Sequence, residues 1–294
     1  MTHYASESIT QTQFIPHPSA LIPFMLITLL TDFGIADYFV GAMKGAILSV
    51  SPRAQLVDIT HEIPPQDIRA AAFTLLAAYR SFPAHTIHVA VVDPGVGSSR
   101  RPILVVAGEQ FFVGPDNGLF GYVYEREADH RVYHLNREEF FHSSVSASFH
   151  GRDVFAPVAG ALAEGARASE LGQEIKDYVR LALLAPRRAA DGTLSGEIIH
   201  IDRFGNCVTN LSKDDVTPEM IERGAHLVVG DREIKTFRRF YAEDDGSNVP
   251  AELFAIWGSA GLLEIAARDS PAARELSAQR GQTVHVLPQS AREE

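Results

Sequence analysis

The chain has 294 residues, of which 46% are hydrophobic and 21% charged, with a formal net charge of −11. That mix belongs to a globular protein of one large domain or two, and the length allows a sizeable core. The acidic balance argues against nucleic acid or an anionic membrane as main partner, since both reward basic patches, and it suits a cationic small molecule.

A single cysteine, Cys207, rules out an intrachain disulfide framework and a zinc cage of several cysteines, and it fits a reducing cytoplasm. Residues 1–24 are polar and proline-broken and read as a tail. The apolar run 21–30 has neither a preceding basic segment nor a following small-residue cleavage site, and it is too short to span a bilayer. Met25 stands directly before the first strand, so either Met1 or Met25 serves as the start.

The first buried strand is expected at 27–30, ending in Thr31-Asp32-Phe33-Gly34. Asp37 follows and then a helical run over 38–50. Asp37 reads either as a helix cap or as a ligand contact. Asp32 ends a buried strand, where a carboxylate can accept two hydrogen bonds from a vicinal diol such as a ribose. A second strand at 55–59 leads into Thr60-His61-Glu62, and Asp67 opens a helix with apolar positions Ile68, Ala72, Leu75, Leu76 and Tyr79. His61-Glu62 lacks a second His four residues on and is no metal motif; no metal site is expected.

Residues 89–92 are continuously apolar, as in a strand covered on both faces, and the strand ends in Asp93-Pro94-Gly95. Arg100 lies seven residues beyond Asp93, across a glycine-bearing loop, and a further strand is expected at 103–107. Asp93 therefore sits at the carboxyl end of a buried strand, the edge where open α/β sheets bind ligands. The other reading is a tight turn with an Asp–Arg surface pair. The loop 113–119 leads into helical 120–126, with a short strand at 132–135. His150 precedes Gly151 and a helix whose start is marked by Asp153 and Pro157, a common place for ligand contact.

Composition changes around 183–195, where Pro, Gly and charge accumulate. The expected division is a tail at 1–24, an α/β domain at 25–185, a linker at 186–195, a β domain at 196–288 and a short tail at 289–294. Strands in the second domain are expected at 196–201, 207–211, 226–229, 253–257, 262–265 and 283–286. Between the first two lies Ile201-Asp202-Arg203-Phe204-Gly205-Asn206, in which Phe204 offers a stacking face and Asn206 an amide for an adenine edge.

Eight segments in order, LLTDFG (29–34), VGAMKG (40–45), DITHEIPPQDI (58–68), VDPGVGSSRRP (92–102), VGPDNG (113–118), FHGRDVFAPVA (149–159), IDRFGN (201–206) and GSAGLLEIA (258–266), resemble the S-adenosyl-L-methionine hydroxide adenosyltransferases. That family is related to the adenosyl-fluorinases and adenosyl-chlorinases, and the resemblance spans about residues 25–288. It implies an α/β N-terminal domain with a mostly parallel central sheet, a smaller β-barrel-like C-terminal domain, and a homotrimer with sites between subunits. The substrate implied is S-adenosyl-L-methionine, hydrolysed to adenosine and L-methionine without a cofactor or metal.

Carried over by position, Asp32 matches the ribose carboxylate and Asp37 lies on the methionine side. Asp202 matches the holder of the methionine ammonium, Asn206 with Phe204 the adenine segment, and Ser259 a methionine-carboxylate contact. Asp93, Arg100 and His150 match the triad of the water-using members. The resemblance leaves open which of the three takes the proton.

Two departures are visible. Fluorinating relatives carry an aromatic and a hydroxyl residue where this chain has Asp93 and Gly151. The Asp93 carboxylate repels halide unless protonated and the full triad favours water, whereas Gly151 alone does not separate water from chloride, since chlorinating relatives also have a small residue there. Gly258 stands where many members have Asn before the Ser, weakening the expected contact at Ser259. The alternatives are a chloride adenosyltransferase, a non-catalytic S-adenosylmethionine-binding module, and a phosphate-binding domain built on Gly95 to Arg100. The last lacks the Gly-Lys-Ser/Thr ending of a P-loop.

Overall fold

A computed structural model describes residues 25–181, 185–243 and 251–288. The N-terminal part alternates strand and helix: β1 (Leu26–Thr31), α1 (Phe39–Val50), β2 (Gln55–Thr60), α2 (Ile68–Tyr79), β3 (Ile87–Val91), β4 (Pro102–Ala107), β5 (Gln110–Pro115), α3 (Gly121–Arg126), β6 (His130–Leu135), α4 (Ala156–Ala163) and β7 (Gly172–Ile175). The strands form one sheet in the order β2-β1-β3-β5-β4-β6-β7. β2, β1, β3 and β5 are mutually parallel and β6 shares their direction, while β4 and β7 run against it. The sheet is therefore mostly parallel.

The apolar runs in β1 and β3 follow from burial on both faces. Successive side chains alternate, so Ile27, Leu29, Val89 and Val91 pack with Met43 and Ile47 of α1 and with α4, whereas Leu30, Ala90 and Val92 pack with Leu75 of α2 and Phe120 beside α3. α1 turns Val40, Met43 and Ile47 inward at helical spacing. α2 is capped as its sequence indicates: the Asp67 side chain accepts from Ala70 N at 2.9 Å. Asn117-Gly118, a hairpin signal in isolation, instead joins β5 to α3, and the hairpin lies at Gly108-Glu109 between β4 and β5.

One helix starts differently from the expectation. The turn after His150 is a π-helical segment, Gly151–Phe155, running directly into α4, so the helix begins ahead of Asp153 and Pro157. Pro157 has no N–H for the carbonyl four residues back. That carbonyl, Asp153 O, accepts instead from His142 N at 2.8 Å, which fits the widened turn. Asp153 is fully buried and paired with Arg152, with Nε to Oδ1 at 2.6 Å.

The C-terminal part is a curled, half-barrel sheet of β8 (Arg187–Arg188), β9 (Leu194–Ile201), β10 (Cys207–Ser212), β11 (His226–Val229), β12 (Arg232–Ile234), β13 (Phe237–Arg238), β14 (Leu253–Trp257), β15 (Leu262–Ala267) and β16 (Thr283–Leu287). The strand order is β12-β11-β16-β9-β10-β15-β14-β13, with β8 beside β9. Its core gathers Leu194, Ile198, Cys207, Leu227, Ile265 and Val284. This sheet packs on α2: Phe73 stacks on His200 with ring centroids 4.8 Å apart, and Arg69 and Arg280 pair with Glu197 and Asp67.

Candidate active site

β1 has β2 on one side and β3 on the other, with α1 and α2 on opposite faces of the sheet. The carboxyl ends of β1 and β3 thus form a topological switch point, the place where such sheets open a crevice. Asp32 directly follows β1 and Asp93 lies two residues past β3.

Asp93 and Arg100 meet across the loop they bound. Arg100 Nε donates to Asp93 Oδ1 at 2.8 Å and Nη2 donates to Oδ2, a two-pronged pairing. The side chains are only 5% and 9% exposed, which removes the surface-pair reading. Gly97 brings the third member in. It sits at φ +77, and a Cβ there would lie 2.3 Å from Ala147 O, so the loop presses directly on the segment leading to His150. As a result Arg100 Nη2 lies 3.0 Å from His150 Nδ1. The guanidinium also covers the Phe155 ring at 5.3 Å.

The charges follow from this geometry. Burial pushes the His150 imidazole below its ordinary value and the Arg100 cation pushes the same way, while Asp93 and Asp153 pull back. Arg100 can only donate, so Nδ1 of the neutral ring accepts and Nε2 carries the proton. Arg100 Nη1 is buried and has no hydrogen-bond partner among the described residues. An orphaned buried donor on a cation is costly unless a ligand atom fills its direction.

Asp32 is held by Gln66, whose backbone N donates to Oδ2 at 2.8 Å from a residue at φ +65. The loop beneath it is tied by Thr31: Phe33 N donates to the Thr31 hydroxyl, which in turn faces His61 Nδ1 at 2.9 Å, with His61 Nε2 3.1 Å from Asp58 Oδ1. His61 therefore braces the Asp32 loop. Asp37 is exposed and does not cap α1, whose cap position is Tyr38.

On the C-terminal half, Asp202 organises its own turn. Its Oδ1 accepts from Phe204 N at 2.9 Å and Asn206 N at 2.8 Å, and its Oδ2 accepts from Asn206 Nδ2 at 2.9 Å. Asn206 is thereby locked with its amide oxygen left over, and Phe204 projects with 77% exposure. Ser259 is exposed in the turn between β14 and β15.

Two neighbours on this half, Tyr241 and Glu264, are joined by a hydrogen bond of 2.9 Å. They were not singled out by sequence reasoning, although a carboxylate inside the apolar run LLEIA was a visible signal. No hydrogen bond or ion pair links Asp32, Asp37, Asp93, Arg100 or His150 to Asp202, Phe204, Asn206 or Ser259 among the described residues. Nor, among those residues, is any group of three or more His, Cys, Asp or Glu side chains placed to hold a metal ion.

Residues 27–172 match the SAM hydroxide adenosyltransferase N-terminal domain and residues 196–285 its C-terminal domain. The chain is 36% identical over 265 residues to an (R)-S-adenosyl-L-methionine hydrolase of Thermus thermophilus, covering 88% of this chain and 98% of the relative. A fluorinase of an Actinoplanes species is more distant, 26% identical over 217 residues, covering 65% of this chain and 73% of the relative. The crystal structure of an uncharacterized conserved protein from Thermotoga maritima superposes with a TM-score of 0.81 at 33% identity, covering 88% of this chain and 99% of that one.

Proposed function

This chain belongs to the SAM hydroxide adenosyltransferase family, and from that membership and its site geometry we propose that it is an S-adenosyl-L-methionine hydrolase. Water or hydroxide attacks the 5′ carbon of the adenosyl unit in line with the sulfonium. The new C–O bond forms as the C–S bond breaks, methionine leaves as a neutral thioether, and one proton is released with adenosine. No cofactor is needed.

The observation that carries this reading is the unpartnered Arg100 Nη1 beside a fixed Asp93 and His150. A donor on a buried cation is suited to hold the attacking oxygen and to stabilise the charge it gains. Asp93 keeps the guanidinium planar fork in place. His150 in its neutral form caps the fork through Nδ1 and offers Nε2–H, so it acts first as an orienting donor. It accepts a proton only after Nδ1 parts from Arg100. Positioning the water behind the 5′ carbon supplies much of the acceleration.

In this reading Asp32 grips the ribose hydroxyls, Asp37 faces the methionyl chain, Asp202 holds the ammonium, Ser259 meets the carboxylate, and Asn206 with Phe204 takes the adenine. The division of the ligand-bearing residues between the two halves, with no hydrogen bond or ion pair joining the groups among the described residues, fits a homotrimer with sites between subunits. That assembly is supported too by exposed apolar side chains on both halves, Ile35 and Tyr38 on one and Phe204 and Phe240 on the other. A cytoplasmic location agrees with the substrate and the single free cysteine. The relatives' printed name points to the (R) sulfonium epimer, which we assign here as well.

The test is incubation of the pure protein with each sulfonium epimer, with and without chloride, and identification of the nucleoside. Adenosine in halide-free buffer, from the (R) epimer foremost, is expected. Formation of 5′-chloro-5′-deoxyadenosine with chloride and nothing without it would overturn the hydrolase reading.

A further inference from the structure

Gly258 lies in the turn between β14 and β15, closed by Gly258 N to Leu262 O at 2.9 Å and Gly261 N to Gly258 O at 3.0 Å. Its φ is not in the left-handed region, so the backbone itself does not call for glycine here. The reason is a neighbour: a Cβ on residue 258 would lie 1.7 Å from Glu264 Oε1. Glu264 stands on β15, opposite Val208 of β10 and Ile256 of β14, and is 9% exposed. Its Oε2 accepts from the Tyr241 hydroxyl at 2.9 Å, while Oε1 accepts from no donor among the described residues.

We propose that Glu264 is a specificity-determining residue of this site, its Oε1 filling the place that a side chain at 258 would take and binding, jointly with Asp202, the α-ammonium of the substrate's amino acid end. The inference rests on the hydrolase reading above and names a residue that reading does not require. Glu264 Oε1 is free of protein donors among the described residues and is not among the sealed, unpartnered atoms of the structure, so a ligand can reach it, and a carboxylate in so apolar a setting is best satisfied by a cation. Burial raises the Glu264 acid above its ordinary range and the Asp202 charge adds to that, with the Tyr241 bond opposing. A cation arriving between the two carboxylates removes the cause of the second effect. An ammonium has three donors to distribute, and the turn's own three hydrogen bonds leave Asp202 little more than one accepting site on Oδ2, so a second carboxylate completes its shell. Loss of this contact should be felt by substrates that carry the amine and by no others.

The experiment measures kcat/KM of the full chain and of Glu264→Gln for S-adenosylmethionine and for its analogue lacking the α-amino group. Gln keeps the shape and can still accept from Tyr241. The expected result is a fall of roughly ten- to hundredfold for the amine-bearing substrate, the usual size for a hydrogen bond to a charged group, with the analogue unchanged. If Glu264→Gln fails to fold, Glu264→Asp is read in the same way, since the shorter acid withdraws from the position beside Gly258. An equal fall for both compounds in a variant that retains its melting transition, or no change for either, overturns the role of Glu264 and leaves the hydrolase reading standing. A wild-type chain that forms adenosine from neither compound overturns that reading, and this inference with it.

Discussion

Arg100 Nη2 and His150 Nδ1 lie 3.0 Å apart, and because only one of them can donate, the pair determines which ring nitrogen of His150 holds the proton. Protonating His150 would turn Nδ1 into a second donor facing a cation. Burial and Arg100 both resist that, so the neutral ring is the working form.

His150→Ala and Arg100→Ala are expected to lower the single-turnover rate by about a hundred- to ten-thousand-fold while S-adenosylmethionine still binds in calorimetry. Asn206→Ala should do the opposite, weakening binding with little change in the chemical step, because adenine contacts are equal in ground and transition state. The wild-type rate should fall on the acid side with an apparent pKa below 6.5, the ordinary histidine value. Should His150→Ala keep its rate and lose only affinity, the three residues are a binding feature.

The two residue groups of the site are complementary in ligand chemistry, yet no hydrogen bond or ion pair joins them among the described residues. Asp32→Ala and Asn206→Ala, assayed at a substrate level too low for either variant alone to turn over appreciably, are expected to regain activity when mixed under conditions where subunits exchange. In a random mixed trimer a shared site can have both halves native, only one of them, or neither, and the fully native sites restore turnover. No recovery after exchange is demonstrated by mass spectrometry would rule out sites shared between subunits.

The fold carries its own pH dependence through His88. This residue is fully buried on β3, with Nδ1 2.7 Å from Thr28 Oγ1 and Nε2 3.0 Å from Gln110 Oε1, and burial lowers its pKa from 6.5 to about 4. The unfolded chain therefore binds a proton between these values that the folded chain refuses, and stability rises with pH across the window and is lost as pH falls through it. The full shift corresponds to about 3 kcal/mol. His134, His150 and His200 are shifted in the same direction. Urea titrations from pH 7 to pH 4 should show the decline, and the His88 ring resonances should stay at their neutral positions above pH 5. Titration of His88 near 6.5 would contradict a sealed network.

The sequence by itself determined most of the longer strands and helices and which polar residues stand at their ends. The apolar runs ending in Asp32 and Asp93, the Asp67 cap and the turn Asp202 to Asn206 are local features: strand burial, helix capping and Asx turns are decided by neighbours in the chain, so they leave a pattern that can be read. Register and approach are different. Only the tertiary structure decided that Gly97 presses on Ala147 and so delivers His150 to Arg100, since that contact joins segments 50 residues apart. It alone showed the π-helical turn at Gly151–Phe155, which follows from where the Asp153 carbonyl finds a donor. It likewise tied the glycine at 258 to the carboxylate of Glu264, a steric fact about two strands paired across a turn. Spacing along a chain constrains what a residue can be, and the free volume around it, known only after packing, determines what it meets.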